Sequence, residues 1–413
     1  MKAIIITIGD ELLIGQVINT NAAYISERLN SVGVEVIRIV TIGDDEAEIL
    51  HSLQEYSKKY DVIVMTGGLG PTHDDITKKA LCKFFQTELV SSQEARAHIE
   101  QFLRQRNYPW SEAAEEQTLI PRGSIVIPNK LGTASGLLFE QDRKYVIAMP
   151  GVPYEMEAMV EEVVVPYFKQ KAGAKVILHR TLKTTGIPES QLAKRLENLT
   201  ELLKDCKLAF LPSTSGVNLR ITVIESDRKT AEQKINTIEA RIREKAEKYI
   251  YGVDSETLEE IVGKLLKSRK LKIAIAESCT GGLLADRITN VPGSSQYLDR
   301  AIVTYSNQSK IELLDVPKDL IEQHGAVSQE VAEAMASGIR KISNTDIGIS
   351  TTGIAGPTGG TPEKPIGLVW IGYSDENQTL ALKFHFGDGR RQIKERAIQA
   401  ALDLVRRKLL KLD

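Results

Sequence analysis

At 413 residues, with 42% hydrophobic and 26% charged side chains, the chain reads as globular and too long for one ordinary core, so two or three domains are expected. A net charge of −2 gives no global field toward nucleic acid or acidic membrane, and Cys82, Cys206 and Cys279 lie too far apart for a CxxC zinc or disulfide pattern, which points to a reducing compartment. No window of about 18 apolar residues occurs, and Gly9, Asp10 and Glu11 interrupt the first apolar run too early for a secretory leader, so a cytoplasmic chain is expected.

In chain order, residues 1–170 alternate strand and helix patterns. The apolar run AIIITIG predicts a buried strand, NTNAAYISERLNSVG an amphipathic helix closed by Gly33, VEVIRIVTIG a strand, DEAEILHSLQEYSKKY a helix and DVIVMTGG a strand. That βαβαβ rhythm predicts an α/β domain with a parallel sheet and a ligand at the carboxyl ends of its strands. Polar clusters fall at those ends: Gly9-Asp10-Glu11, Gly43-Asp44-Asp45, and the run from Thr66 to Asp75.

The last run, TGGLGPTHDD, is the most specific local signal in this half. Its glycines Gly67, Gly68 and Gly70 precede a helix pattern and can present N–H groups to phosphate. Asp74 and Asp75, with Asp44 and Asp10 at neighbouring strand ends, supply oxygen ligands for a hard divalent cation of unknown identity. Such an ion could polarise a phosphoanhydride. A plain Gly/Pro turn with an Asp capping ITKKALCKFF would explain one aspartate but not the convergence. PNKLGTASG and AMPGVPYEM add two Gly/Pro loops after apolar strands, and Glu155 and Asn21 are expected to touch the same ligand.

The stretches IGDELLIGQVINTN, TGGLGPTHDD, PNKLGTASG and MPGVPYEM resemble the N-terminal domain of the competence/damage-inducible protein CinA family, itself similar to molybdopterin-binding domains. The resemblance implies a nucleotide-like ligand and a divalent-metal-dependent pyrophosphatase acting on ADP-ribose. Ser135 stands where the family often has Pro, and Asn19 where it often has Asp.

Residues 171–252 change character. HRTLKTTG reads as a strand, PESQLAKRLENL as a helix, LAFLPSTSGVNLRITVI as strand–turn–strand, and TAEQKINTIEARIREKAEKYI as a long charged helix. The resemblance implies a KH-like α+β domain. Without a GxxG loop, aromatic ladder or basic stripe, a spacer or dimer arm is expected rather than RNA binding. A cap at Ser255 or Thr257 then opens a third domain, 253–413.

In that domain the strand signal Leu271–Ala276 runs into Glu277-Ser278-Cys279-Thr280-Gly281-Gly282 and a helix pattern. A hydroxyl at such a turn sits near unpaired helix N–H groups that can stabilise an oxyanion; the alternative is an N-cap with a packing glycine pair. Lys310 opens a helix after the strand AIVTYS and the polar Thr304-Tyr305-Ser306-Asn307. A lysine drawn into such a pocket can lose its proton and serve a serine as base. His324 and His385 offer no triad. The Gly/Thr/Pro loop after Thr352, with Gly353 and Gly356, can wrap a phosphorylated ligand, and Arg390 and Lys394 share one helix face suited to phosphate.

AESCTGG, TYSNQSK, GIAGPTGGTPEKPIG and GDGRRQIKERA resemble the CinA C-terminal domain, the nicotinamide mononucleotide (NMN) deamidase family. The resemblance implies hydrolysis of the NMN carboxamide to nicotinate mononucleotide and ammonia. Ser278 would be the nucleophile and Lys310 its base, with no metal. Thr280, Gly281, Tyr305, Asn307, Thr352, Gly353, Gly356, Arg390 and Lys394 would line the substrate. Family members often carry a second Arg where Lys394 stands, and Lys lacks the bidentate fork. Three domains are therefore expected, 1–170, 171–252 and 253–413, in a homodimer acting on NMN and ADP-ribose, with no nucleic-acid or membrane partner. The rival readings are a nucleotide- or pterin-binding regulator without turnover and a Ser–Lys peptidase.

Overall fold

The computed structural model describes residues 1–72, 75–171, 176–197, 206–213, 216–387 and 389–412. Its contacts divide the chain into two compact units, residues 1–178 with 224–233, and residues 179–223 with 234–413.

The first unit is built on strands β1 (Lys2–Ile8), β2 (Glu35–Ile42) and β3 (Val62–Thr66), followed by a short antiparallel pair, β4 (Leu89–Ser91) and β5 (Leu119–Pro121), and then β6 (Ile125–Ile127), β7 (Gly136–Gln141) and β8 (Lys144–Met149). The main sheet runs in the order β2-β1-β3-β8-β7-β6. Its first four strands are parallel, as the βαβαβ pattern predicts, whereas β7 runs against both of its neighbours, β8 and β6. The reversal comes from a two-residue turn, Asp142-Arg143, with both residues at positive φ, 51° and 62°. Alternation along β1 sends Ile4, Ile6 and Ile8 to one apolar layer and Ala3 and Ile5 to the other, so helices cover both faces.

In the middle region β9 (Val176–Thr184), β10 (Cys206–Ser213), β11 (Gly216–Glu225) and β12 (Ile250–Val253) form a sheet ordered β10-β11-β9-β12. The C-terminal sheet comprises β13 (Ile273–Glu277), β14 (Leu298–Val303), β15 (Ile347–Gly353), β16 (Leu368–Ser374) and β17 (Thr379–His385), ordered β14-β13-β15-β16-β17. β14, β13 and β15 are parallel and the last two strands antiparallel. Helices Leu258–Arg269 and Arg390–Leu410 contribute to one core layer, and Gln329–Ser343 packs in another with Ala274 and Ala276. Thr257 and Glu260 close the first helix with a reciprocal capping box. No helix among the described residues is long and apolar enough to cross a membrane.

Candidate active sites

β13 carries Ser278 out of the C-terminal sheet. The ladder continues one step past the strand: Ser278 N–H donates to Thr351 O at 2.9 Å, and Thr304 N–H to Glu277 O at 2.8 Å. Gly281 and Gly282 then sit at φ +63° and +93°, a left-handed pair that side chains disfavour and that turns the chain sharply. The turn brings the fully buried Glu277 carboxylate under the next helix, where it accepts N–H groups from Gly282 (3.0 Å), Leu284 (3.1 Å) and Ala285 (2.8 Å). The N–H groups of Gly282, Leu284 and Ala285 at the helix start are thus taken by a side chain, which leaves the Cys279–Gly281 stretch for the expected oxyanion. Gly281 N–H is also used, by Ser278 O at 3.2 Å. Only the Cys279 and Thr280 N–H groups of this turn have no acceptor among the described residues.

Lys310 lies in the first turn of helix Asn307–Leu314, which Ser306 caps through Ser309 N–H at 3.0 Å. Its side chain is 1% exposed, and Nζ donates to Ser278 Oγ at 3.1 Å and to Thr304 O at 2.8 Å, with Tyr305 O and Ser306 O each at 3.4 Å. Burial pushes the Lys310 pKa below that of an ordinary lysine, and the only opposing influence is Cys279. Burial also pushes the Cys279 thiol up to about 12, so at neutral pH it carries no charge to oppose that shift.

The remaining expected residues separate into two groups. Tyr305 is exposed, and its hydroxyl accepts from Arg390 Nη2 at 3.1 Å while Arg390 Nη1 donates to Gly356 O at 2.7 Å, tying two loops to one helix start. A Cβ on Gly281 would stand 3.5 Å from Lys394 Nζ, so that ammonium hangs over the turn. Asn307 is exposed and Gly353 half-buried at the end of β15. Thr280 and Thr352, by contrast, are buried: Thr280 Oγ1 pairs with Thr351 Oγ1 at 2.7 Å, and Thr352 Oγ1 donates to Ala326 O at 2.7 Å. Their hydroxyls are engaged with Thr351 and Ala326. Glu277, Thr304 and Thr351 position this centre, a role the sequence pattern does not assign to them; the available signal is an acidic residue at the last position of an apolar strand.

The N-terminal cleft, about 490 Å³, is lined at the strand ends by Gly67, Gly68, Gly70, Asp44, Asp75 and Glu155, among others. Gly67, at φ +110°, passes so close to Ile8 O that any Cβ would collide with it. Asp75 Oδ2 accepts from Thr72 N–H and Thr72 Oγ1, each at 2.7 Å, and Glu155 accepts from Asn129 Nδ2 at 2.6 Å. Asn21 is turned to hold the loop, donating to Gly151 O at 2.7 Å. Asp10 lies beside the cleft: its carboxylate accepts Asp44 N–H at 3.3 Å, and Asp44 accepts Asp10 N–H at 3.0 Å. Asp74 falls outside the described residues. Among the described residues no three His, Cys, Asp or Glu side chains gather into a metal cage. Asp44 and Asp75 both line the cleft. Lys78, buried one turn below the loop, went unnoticed as an ordinary helix lysine; it donates to Gln117 Oε1 at 3.2 Å, and burial lowers its pKa to about 8 against the pull of Asp75 and Glu116.

Three family descriptions match the chain: the probable molybdopterin binding domain over residues 4–170, the damage-inducible protein CinA KH domain over 179–252, and the CinA C-terminal domain over 255–409. A competence-damage inducible relative from Caldicellulosiruptor saccharolyticus is 44% identical over 410 residues, covering 99% of this chain and 100% of that one. The chain belongs to the CinA family. A CinA-like protein from Kosmotoga olearia is 43% identical over 412 residues, covering 100% of both chains. The crystal structure of the protein CinA with unknown function from Thermoplasma acidophilum is 36% identical, covers 39% of this chain and 95% of that one, and has a TM-score of 0.37. The family assignment bears out the α/β class and the order of a molybdopterin-binding-type domain, a KH-like domain and a CinA C-terminal domain.

Proposed function

We propose that the C-terminal domain is an NMN amidase, releasing ammonia and nicotinate mononucleotide. The observation that carries this reading is the buried Lys310 Nζ at 3.1 Å from Ser278 Oγ. Such a pair needs no histidine: neutral Lys310 accepts the Ser278 proton as Oγ attacks the carboxamide carbon. The Cys279 and Thr280 N–H groups are the donors left to hold the oxyanion. Lys310 then hands its proton to the departing ammonia, and a water attacks the acyl-enzyme by the same route in reverse. Arg390 and Lys394, one helical turn apart near the same turn, would take the phosphate, which favours a small anion over a peptide. Ammonia release from NMN by the purified full-length chain tests the reading; binding of NMN without release would leave a nucleotide-binding regulator.

The lining of the N-terminal cleft supports a second activity, hydrolysis of ADP-ribose at its diphosphate. Asp44 and Asp75 would hold a divalent ion, which when bound supplies Lewis-acid polarisation of the diphosphate. The glycine loop offers close backbone approach, and Asn21 and Asn129 fix the two loops that flank it through Gly151 O and Glu155. Release of AMP and ribose 5-phosphate from ADP-ribose in the presence of added divalent metal tests this assignment. The homodimer and the absence of a nucleic-acid partner belong to the same proposal.

A further inference from the structure

Helix Arg390–Leu410 presents two faces. Ile393, Ala397, Ala401 and Leu402 enter the core, whereas a stripe at three- and four-residue spacing, including Arg396, Gln399, Ala400 and Asp403, faces a cavity of about 630 Å³. The opposite wall is the Thr185–Glu189 turn with Pro212 and Ser213 of β10 and Gly216 and Val217 of β11, and the third wall is Leu382 and Phe384 of β17 with Phe386. The whole cavity lies within the second unit and shares no lining residue with Ser278 or Lys310. Its volume falls in the range of roughly 300–1,000 Å³ usual for small-molecule sites.

The lining has a specific chemistry. Phe384 on β17 and Phe386 just past its end stack with rings nearly parallel at 10° and centroids 5.4 Å apart. Arg396 has no hydrogen-bond or ion-pair partner among the described residues. Gln399 is 4% exposed; its Oε1 accepts from Arg287 at 3.1 Å, and its buried Nε2 reaches no acceptor at hydrogen-bonding geometry beyond a loose contact with the Tyr251 hydroxyl. Buried Asp403 is neutralised by Arg406 at 2.8 Å, so it does not cancel the Arg396 charge. A flat apolar wall and one uncommitted guanidinium call for a ligand with a ring and an anionic group.

We propose that this cavity is a binding site for a small planar aromatic anion of about mononucleotide size, its ring against Phe384 and Phe386 and its anionic group on Arg396. The probe is 8-anilinonaphthalene-1-sulfonate, followed by fluorescence on the folded full-length chain, with neutral N-phenyl-1-naphthylamine as its uncharged counterpart. Saturable binding of the sulfonate is expected. Arg396→Gln should weaken the sulfonate about tenfold, the worth of one charge-assisted hydrogen bond, while leaving the neutral probe within about twofold. Ala400→Trp, which fills the cavity, should remove both, and Phe384→Ser replaces it if the larger side chain lowers the melting temperature. Three results would overturn the proposal: no saturable binding, unchanged binding when the cavity is filled, or equal loss of both probes in Arg396→Gln, which would mean an apolar hollow that does not read charge.

Discussion

Ser278 and Lys310 act through one hydrogen bond, so their loss should be felt together. Ser278→Ala and Lys310→Met are each expected to lower NMN deamidation by about a thousandfold or more, with no further loss in the double variant, because a nucleophile and its base act as a unit. Lys310→Arg should not rescue, since a guanidinium keeps its proton. The base must be neutral, so kcat/KM should rise with pH and level off below the 10.5 of an ordinary lysine. The stability effect has the same sign. The unfolded lysine holds a proton that the folded one has lost, so stability rises with pH between the lowered folded value and 10.5, and Lys310→Met should flatten that slope. Cys279 adjoins the nucleophile, yet it is buried in the core layer with a thiol pushed up to about 12. Iodoacetamide at neutral pH should leave deamidation intact, because the thiolate is the reactive form; rapid inactivation that Cys279→Ala prevents would give that sulfur a role denied it here.

The strand–turn–helix from β13 to Thr289 stands or falls on Glu277. Removing its carboxylate leaves three backbone N–H groups without their acceptor, so Glu277→Ala is expected to cost about 3 kcal/mol by denaturant melting. Where protein remains folded, kcat should fall more than KM, because the turn places Ser278 rather than the phosphate contacts. At this scale the sequence is readable in one direction only. The apolar run of β13, the glycine pair and the polar approach to Lys310 mark where a strand ends and a helix begins, since backbone period and conformational freedom are local properties. Which hydroxyls face inward is not local: Thr280 meets Thr351 across 71 positions, and Thr352 meets Ala326 across 26, so neither orientation could be read from its neighbours. The antiparallel edge of the first sheet was hidden for a different reason, because Asp142-Arg143 lacks the glycine that usually announces such a turn.

Across the whole molecule, the two proposed chemistries use different sheets and different residues, so each should survive loss of the other. Asp75→Asn is expected to abolish metal-dependent ADP-ribose hydrolysis, spare NMN deamidation and leave the chain folded, its side-chain hydrogen bonds being the two from Thr72. Normal cleavage by that variant would reduce the aspartate to a loop cap. The KH-like and C-terminal domains show no such independence, and the reason is Arg406. It is 1% exposed, donates to Lys248 O at 2.6 Å and Ile250 O at 3.2 Å, and pairs with Asp403. Arg406→Met should cost about 3–5 kcal/mol by denaturant melting, because it removes one partner of a buried ion pair together with the donors to Lys248 O and Ile250 O. The same guanidinium sets a rule for grafting. A foreign module spliced on ahead of residue 253 must offer two carbonyls where Lys248 and Ile250 stand, or it will leave a charged group sealed in the joint. What looks from the domain boundaries like a replaceable cassette is keyed to its neighbour by one side chain.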